Sequence, residues 1–158
     1  AEVRIDMLRD VAGTRRSLER VNRLNPNYRL THHVEAELAL AEGDYAAAAG
    51  AARKLVAGDD RDPFRPVWLY VRAVAELLAG QPAAAMQAIG EAIELCASCR
   101  SYHLLRAEML DHSGDAAAAD AARSRAAKLV AQPEIVAPRL WLPDADADLM
   151  RRLAPTGA

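Results

Sequence analysis

Apolar residues recur three and four positions apart along most of the chain, and this spacing places them on one face of an α-helix. Three stripes lead up to a glycine: Leu30, Val34, Leu38 and Ala41; Val67, Val71, Val74 and Leu78; and, less regularly, Leu104, Leu105, Ala107 and Leu110. Three further apolar stripes each follow a glycine: Ala48, Ala52, Leu55 and Val56; Ala85, Ile89, Ala92 and Ile93; and Ala119, Ala122, Ala126, Leu129 and Val130. With the helical segment before residue 25, the pattern predicts at least seven helices and no sheet.

Each pair of stripes is joined by a short turn of the same kind. The turn glycines, which recur at intervals of 37 and 34 residues, are Gly43, Gly80 and Gly114. Glycine ends a helix well because it adopts the left-handed backbone conformation that other residues resist. Asp44 and Asp115 can then cap the following helix, and Pro82 suits a first helical turn because its missing N–H is not needed there. The sequence therefore predicts three helix–turn–helix hairpins.

These hairpins resemble the tetratricopeptide repeat (TPR) family, whose units of about 34 residues have small residues at set positions of both helices. Counted from each turn glycine, those positions fall on Ala36, Ala73 and Ala107; on Ala48, Ala85 and Ala119; and on Leu55, Ala92 and Ala126. The family's proline near a repeat's end is matched by Pro26. His32, Leu69 and His103 stand where the family has a large aromatic residue. The resemblance covers residues 10–131 and implies an all-α, TPR-like α-solenoid with a right-handed superhelix.

The repeat register divides the chain into three parts. Residues 1–28 are expected to form an N-terminal helix, either the second helix of a partial repeat or a cap. Residues 29–131 are expected to hold three TPR-like repeats, at about 29–62, 66–99 and 100–131. Residues 132–158 contain four prolines and leave the register, and we expect an extension with a short capping helix that Trp141 and Leu142 dock on the last repeat. Because the sequence starts inside a repeat, it is expected to be part of a larger bacterial protein.

Composition and charge narrow the classes of function. The net charge is −2 and no basic face is evident, so nucleic acid is not an expected partner. No apolar run approaches the roughly 18–20 residues of a membrane span, so we expect a soluble chain, with the bacterial cytoplasm and periplasm both left open. The motifs of serine hydrolases, phosphate-binding loops and zinc proteases do not occur, so no enzyme activity, catalytic residue, metal or cofactor is predicted.

The sharpest chemical feature is the pair Cys96 and Cys99. Its spacing suits a metal, a redox pair or a disulfide, and His103 follows one turn later. A structural zinc site needs about four ligands, and no second cysteine pair exists. The preferred interpretation is two ordinary small residues at a repeat junction, with a disulfide and metal or redox chemistry left open. In a second pair, His32 is expected to pack and His33 to face the groove described below, since adjacent helical residues point roughly 100° apart.

In TPR arrays the first helix of each repeat lines a concave groove, which the resemblance therefore implies here. The groove residues are then expected to be His33, Glu37 and Leu40; Tyr70, Val74 and Leu77; and Leu104, Glu108, Asp111 and His112. Tyr70 should stand near the centre, with acidic residues at the rims. The Lys, Asn and Arg with which some family members hold a terminal carboxylate are replaced, so a partly apolar, basic helix or extended segment is the expected ligand.

These observations lead to one main hypothesis of function and two alternatives. The main hypothesis is a protein–protein interaction scaffold that binds a segment of a protein partner in its concave groove. The first alternative is a self-association module whose exposed end faces stack into a longer superhelix. The second is a metal- or redox-responsive domain that uses Cys96 and Cys99.

Overall fold

The computed structural model describes residues 10–58 and 61–130, which form seven α-helices and no β-strand. The helices are α1 (Val11–Leu24), α2 (Thr31–Glu42), α3 (Tyr45–Val56), α4 (Arg65–Leu78), α5 (Pro82–Leu95), α6 (Arg100–Ser113) and α7 (Ala116–Ala127). The prediction of an all-α chain is confirmed. The predicted capping helix of residues 132–158 lies outside the described residues, and the repeat boundaries remain predictions.

The three turns between paired helices share one backbone geometry. Gly43, Gly80 and Gly114 have φ angles of 76°, 73° and 86°, in the left-handed region that favours glycine. In each turn the N–H of the residue after the glycine donates to the carbonyl five residues earlier, at 2.8–3.0 Å. The glycine N–H donates in turn to the carbonyl three residues earlier, which completes a Schellman motif. The predicted hairpin turns are confirmed.

The starts of the second helices also follow the sequence. The carboxylate of Asp44 accepts the N–H of Ala47 at 3.0 Å, and that of Asp115 accepts the N–H of Ala118 at 3.1 Å. Each caps a backbone N–H that a helix leaves without an internal acceptor. In the middle hairpin, α5 begins at Pro82. An aspartate cap in two hairpins and a first-turn proline in the third therefore start the second helix at the equivalent position.

The hairpins stack so that each helix packs against its neighbours in sequence. Within the hairpins α2 packs on α3, α4 on α5, and α6 on α7; between them α1 packs on α2, α3 on α4, and α5 on α6, and α2 also contacts α4. All nine residues at the predicted small positions, from Ala36 to Ala126, are at most 1% exposed. A side chain larger than the native one at such a buried crossing would push the helices apart. All nine positions are therefore buried, as the register predicts, and the register itself stays a prediction.

A buried carboxylate joins the first hairpin to the second. Glu76 on α4 is fully buried, and its two oxygens accept from Nε and Nη2 of Arg53 on α3 at 2.7 and 2.6 Å. Arg72 lies one turn before it, with 3.5 Å between its Nε and Oε1 of Glu76. Hydrogen bonding to Glu76, and secondly the charge of that carboxylate, raise the pKa of Arg53. The pair therefore links α3 to α4 through a buried ion pair.

Candidate functional site

The first helices of the hairpins, α2, α4 and α6, carry all ten predicted groove residues, and these ten are called the inner face below. Burial varies along it. The buried members are His33, Glu37, Leu40, Tyr70 and Val74; the partly buried ones are Leu77, Leu104 and Glu108; the exposed ones are Asp111 and His112. Leu40, Tyr70 and Val74 also belong to the main core cluster. The accessible part of the inner face thus lies toward its α6 end.

At the centre of the inner face, Tyr70 stacks on Tyr102. The two ring centroids are 5.4 Å apart and the planes differ by 24°, which ties α4 to α6. Tyr70 is 3% exposed, and this burial raises its pKa to about 12. Burial, and secondly the neighbouring Tyr70, also raise the pKa of Tyr102. Tyr70 was expected to offer its ring to a partner, whereas in the structure that ring packs against Tyr102.

The α2 end of the inner face carries a buried histidine and a buried glutamate. Nε2 of His33 lies 3.3 Å from Oε1 of Glu37, one helical turn away. His32 is the more exposed of the adjacent histidines, and its Nδ1 lies 2.7 Å from Oε2 of Glu35. The expectation that His32 is the packed one of the two is therefore wrong, because His33 is the more buried; that His33 faces the groove stays a prediction. The reason is the helix rotation, which points His33 the same way as Glu37 and Leu40.

The α6 end of the inner face is acidic, but an arginine from its own hairpin partner approaches it. Arg123 on α7 forms an ion pair with Asp111, and its Nη2 lies 3.9 Å from Oε1 of Glu108. The same guanidinium donates to Asp120 at 3.1 Å. Arg123 was missed in the sequence because its contact depends on how α6 and α7 pack. The acidic rim is therefore partly neutralised. Leu77 and Leu104 are the partly buried apolar residues of the inner face.

An aromatic cluster lies outside the inner face, beside the loop between the first two hairpins. The guanidinium of Arg29 sits 4.5 Å from the ring centroid of Trp68 and also pairs with Asp62. The Phe64 ring, which is half exposed, lies 6.4 Å from that of Trp68. Tyr28, in the turn before α2, is also half exposed. Sequence periodicity did not indicate this cluster because most of its members precede the helices or lie in loops.

The two cysteines form a disulfide. Cys96 follows the end of α5 and Cys99 precedes α6, so the bond closes the turn between the second and third hairpins. Cys99 is fully buried in the core cluster. Nε2 of His103 lies 3.0 Å from the carbonyl oxygen of Ala97, at the same turn. Across residues 10–58 and 61–130, no group of three or more His, Cys, Asp or Glu is arranged to hold a metal ion.

No helix in the described part of the chain is both long and apolar enough to cross a bilayer. No protein-family model matches the sequence, and no curated protein matches it significantly. Among solved structures, the crystal structure of MamA is similar over 94% of this chain and 90% of MamA, with a TM-score of 0.66 and 16% identity. MamA is TPR-like, and at this identity the similarity establishes the fold alone: a TPR-like helical repeat.

Proposed function

We propose that this chain is a protein-interaction scaffold that binds a segment of a protein partner on the inner face. The observation that carries the proposal is the alignment of α2, α4 and α6, held by three identical turns and by the stack of Tyr70 on Tyr102. A rigid row of helices presents binding side chains with little loss of conformational entropy on association. The proposed role is binding without catalysis, in keeping with the catalytic motifs that the sequence lacks.

The accessible part of the inner face limits the chemistry of the partner. Leu77 and Leu104 offer apolar surface, and Asp111 and Glu108 bring negative charge beside it. An apolar anchor next to carboxylates suits a segment that combines large apolar side chains with a basic one. The carboxylates should mainly affect the association rate and its salt dependence, because charges at the rim of an interface contribute little to affinity.

A comparison of two arginine substitutions tests this proposal. The full chain is immobilised and used to capture proteins from a lysate of the source organism, with quantification by mass spectrometry. Leu104→Arg places a charge on the inner face, whereas Leu95→Arg changes an exposed leucine at the end of α5, a second helix. We expect Leu104→Arg to reduce capture of specific partners at least about tenfold, equivalent to about 1.4 kcal/mol. Leu95→Arg should retain them.

The two variants must be equally folded, which circular dichroism and thermal melting establish before capture. If both variants recover the same partners as the wild type, the inner face is not the binding surface. If both lose them, the loss cannot be assigned to the inner face, and the proposal again fails. Only a selective loss with Leu104→Arg supports it.

Self-association is a second candidate, favoured by large apolar side chains that are exposed at the surface of the described residues. Tyr28 and Phe64 are 47% and 50% exposed, and Leu30 between them in sequence is also exposed. Large apolar side chains on a surface often mark a contact with another protein. Light scattering over a concentration series distinguishes this candidate: a mass that rises with concentration, and that Phe64→Ser lowers, would support it. A constant monomer mass would exclude it.

A further inference from the structure

We propose that two copies of this chain associate through oppositely charged helices, α1 of one copy and α5 of the other. The inference deepens the self-association candidate, on which it rests, by naming the surfaces that meet and the chemistry that joins them. Neither helix contributes to the inner face, so this contact and the binding of a partner segment use different surfaces.

Helices α1 and α5 are built in the same register. Each has 14 residues, and each packs on the first helix of the next hairpin, α2 and α6 respectively. Their buried residues correspond: Thr14 and Leu18 are buried in α1, and Ala85 and Ile89, 71 positions later in the sequence, are buried in α5. Exposed residues that are 71 positions apart therefore stand at equivalent places on the two helices.

The exposed side of α1 is basic. Arg16, Arg20 and Arg23 recur four and three positions apart, which places them on one side of the helix, and all three are exposed. These three residues are called the arginine ridge below. Within the described part of the chain, no carboxylate pairs with them. Glu19, also exposed on α1, reduces the net charge of this side to +2.

The equivalent side of α5 is acidic. Glu91 and Glu94, called the glutamate ridge below, stand at the positions that correspond to the last two arginines of α1. Glu94 is exposed and Glu91 is partly exposed. Gln87, which corresponds to the first arginine, donates to Glu91 at 2.9 Å and leaves its charge in place. The two ridges therefore have opposite charges at matching positions.

An exposed leucine extends each ridge by one helical turn. Leu24 lies four residues after Arg20 and is 77% exposed, and Leu95 lies four residues after Glu91 and is 53% exposed. A parallel alignment of α1 with α5 of the second copy brings the ridges together and also brings the leucines together. Because exposed ion pairs contribute little affinity alone, burial of the leucines provides apolar stabilisation while the charges select the pairing.

A second copy is the partner that this arrangement favours, because every copy carries both ridges. Within one chain, α2, α3 and α4 lie between α1 and α5 in the order of packing, so the two ridges can meet only between chains. Salt should weaken such a contact, since the screening length falls from about 10 Å at 0.1 M to about 3 Å at 1 M ionic strength.

Reciprocal charge reversal in the full chain tests the proposal. One variant carries Arg20→Glu with Arg23→Glu, and the other carries Glu91→Arg with Glu94→Arg. Sedimentation equilibrium gives the dissociation constant for self-association of each. We expect either variant alone to raise that constant at least about tenfold, because like charges then face each other. An equimolar mixture of the two variants should associate as the wild type does, which also shows that both are folded.

Arg125→Glu with Lys128→Glu is the matched control. These two exposed cations stand at the corresponding positions of the last second helix, at the end of α7. Their reversal changes the net charge by the same amount as the arginine-ridge variant. The control should keep the dissociation constant of the wild type.

Several results would overturn the proposal. A mass that rises with concentration but does not respond to charge reversal on α1 or α5 would retain self-association and reject these ridges. Failure of the mixture to associate, or an equal loss in the control, would also reject them. A constant monomer mass for the wild type would reject both the ridges and the self-association candidate. None of these measurements involves the inner face, so they leave the scaffold proposal to its own test.

Discussion

The ion pair between Arg53 and Glu76 predicts an asymmetric response to mutation. Both groups can be replaced by methionine, which keeps most of the volume and removes the charge. The partners differ in exposure: the carboxylate of Glu76 is fully buried, whereas the side chain of Arg53 is 51% exposed. Arg53→Met leaves a buried carboxylate with Arg72 alone. Glu76→Met leaves the guanidinium of Arg53, which can rotate toward the solvent and be hydrated there.

The magnitudes follow from that difference. Removing one partner of a buried pair costs about 3–5 kcal/mol when the other charge stays buried. Because Arg72 remains 3.5 Å from Glu76, we expect Arg53→Met to cost less, about 2–4 kcal/mol. Glu76→Met loses charge-assisted hydrogen bonds but also removes the cost of burying a carboxylate. We therefore expect it to lower the free energy of unfolding by about 1 kcal/mol or less. The double variant should resemble Glu76→Met.

Urea unfolding followed by far-ultraviolet circular dichroism measures these differences in the free energy of unfolding. The slope of each transition must be unchanged, since a changed slope indicates an altered unfolded state or a loss of two-state behaviour. The double-mutant cycle should give a coupling of at least about 1 kcal/mol, as residues in one ion-pair network do. Equal costs for Arg53→Met and Glu76→Met, or a greater cost for Glu76→Met, would refute the reasoning about burial.

Three further predictions concern packing, turns and pH. Ala85→Leu should overpack a buried crossing and cost about 1–3 kcal/mol, and an unchanged melting temperature would contradict the repeat register. Gly114→Ala should cost about 1–2 kcal/mol because its φ is left-handed, whereas Gly50→Ala, in open space within α3, should add about 0.5–1 kcal/mol to stability. Tyr70 has a folded pKa of about 12, above its unfolded value of 10.0, so stability is present below pH 10 and should fall as pH rises toward 12. Replacing Tyr70 and Tyr102 by phenylalanine should flatten that fall in a melting series, and an unchanged slope would exclude these tyrosines as its source.

Local chemistry explains why the hairpins were predictable from the sequence. A left-handed glycine, a capping aspartate and a first-turn proline act within a few residues of themselves, as Gly43, Asp44 and Pro82 do. The repeat register then makes equivalent positions in the three hairpins comparable, so that burial expected in one is expected in the others. Small residues such as Ala36 and Ala119 were therefore correctly predicted to be buried. These features depend on sequence distance alone.

The contacts of the candidate site depend on distances between helices, and these were not predictable. Tyr70 and Tyr102 lie 32 positions apart, and their stacking follows from the spacing of α4 and α6. The contacts of Arg53 with Glu76, and of Arg123 with Asp111, likewise require two helices at a particular rotation. The sequence pattern assigned these residues to a helix face but not to a partner. The sequence pattern likewise assigns the inner face to the first helices without naming what binds there, so the inner face stays a predicted binding surface.

The affinity of a captured partner segment for three forms of the chain tests the central claim most directly. The forms are the wild type, Leu104→Arg on the inner face and Leu95→Arg at the end of a second helix, each titrated by isothermal calorimetry. The account predicts that Leu104→Arg raises the dissociation constant at least about tenfold, or about 1.4 kcal/mol, while Leu95→Arg leaves it unchanged. Equal dissociation constants for all three forms would contradict the claim that the inner face binds protein segments.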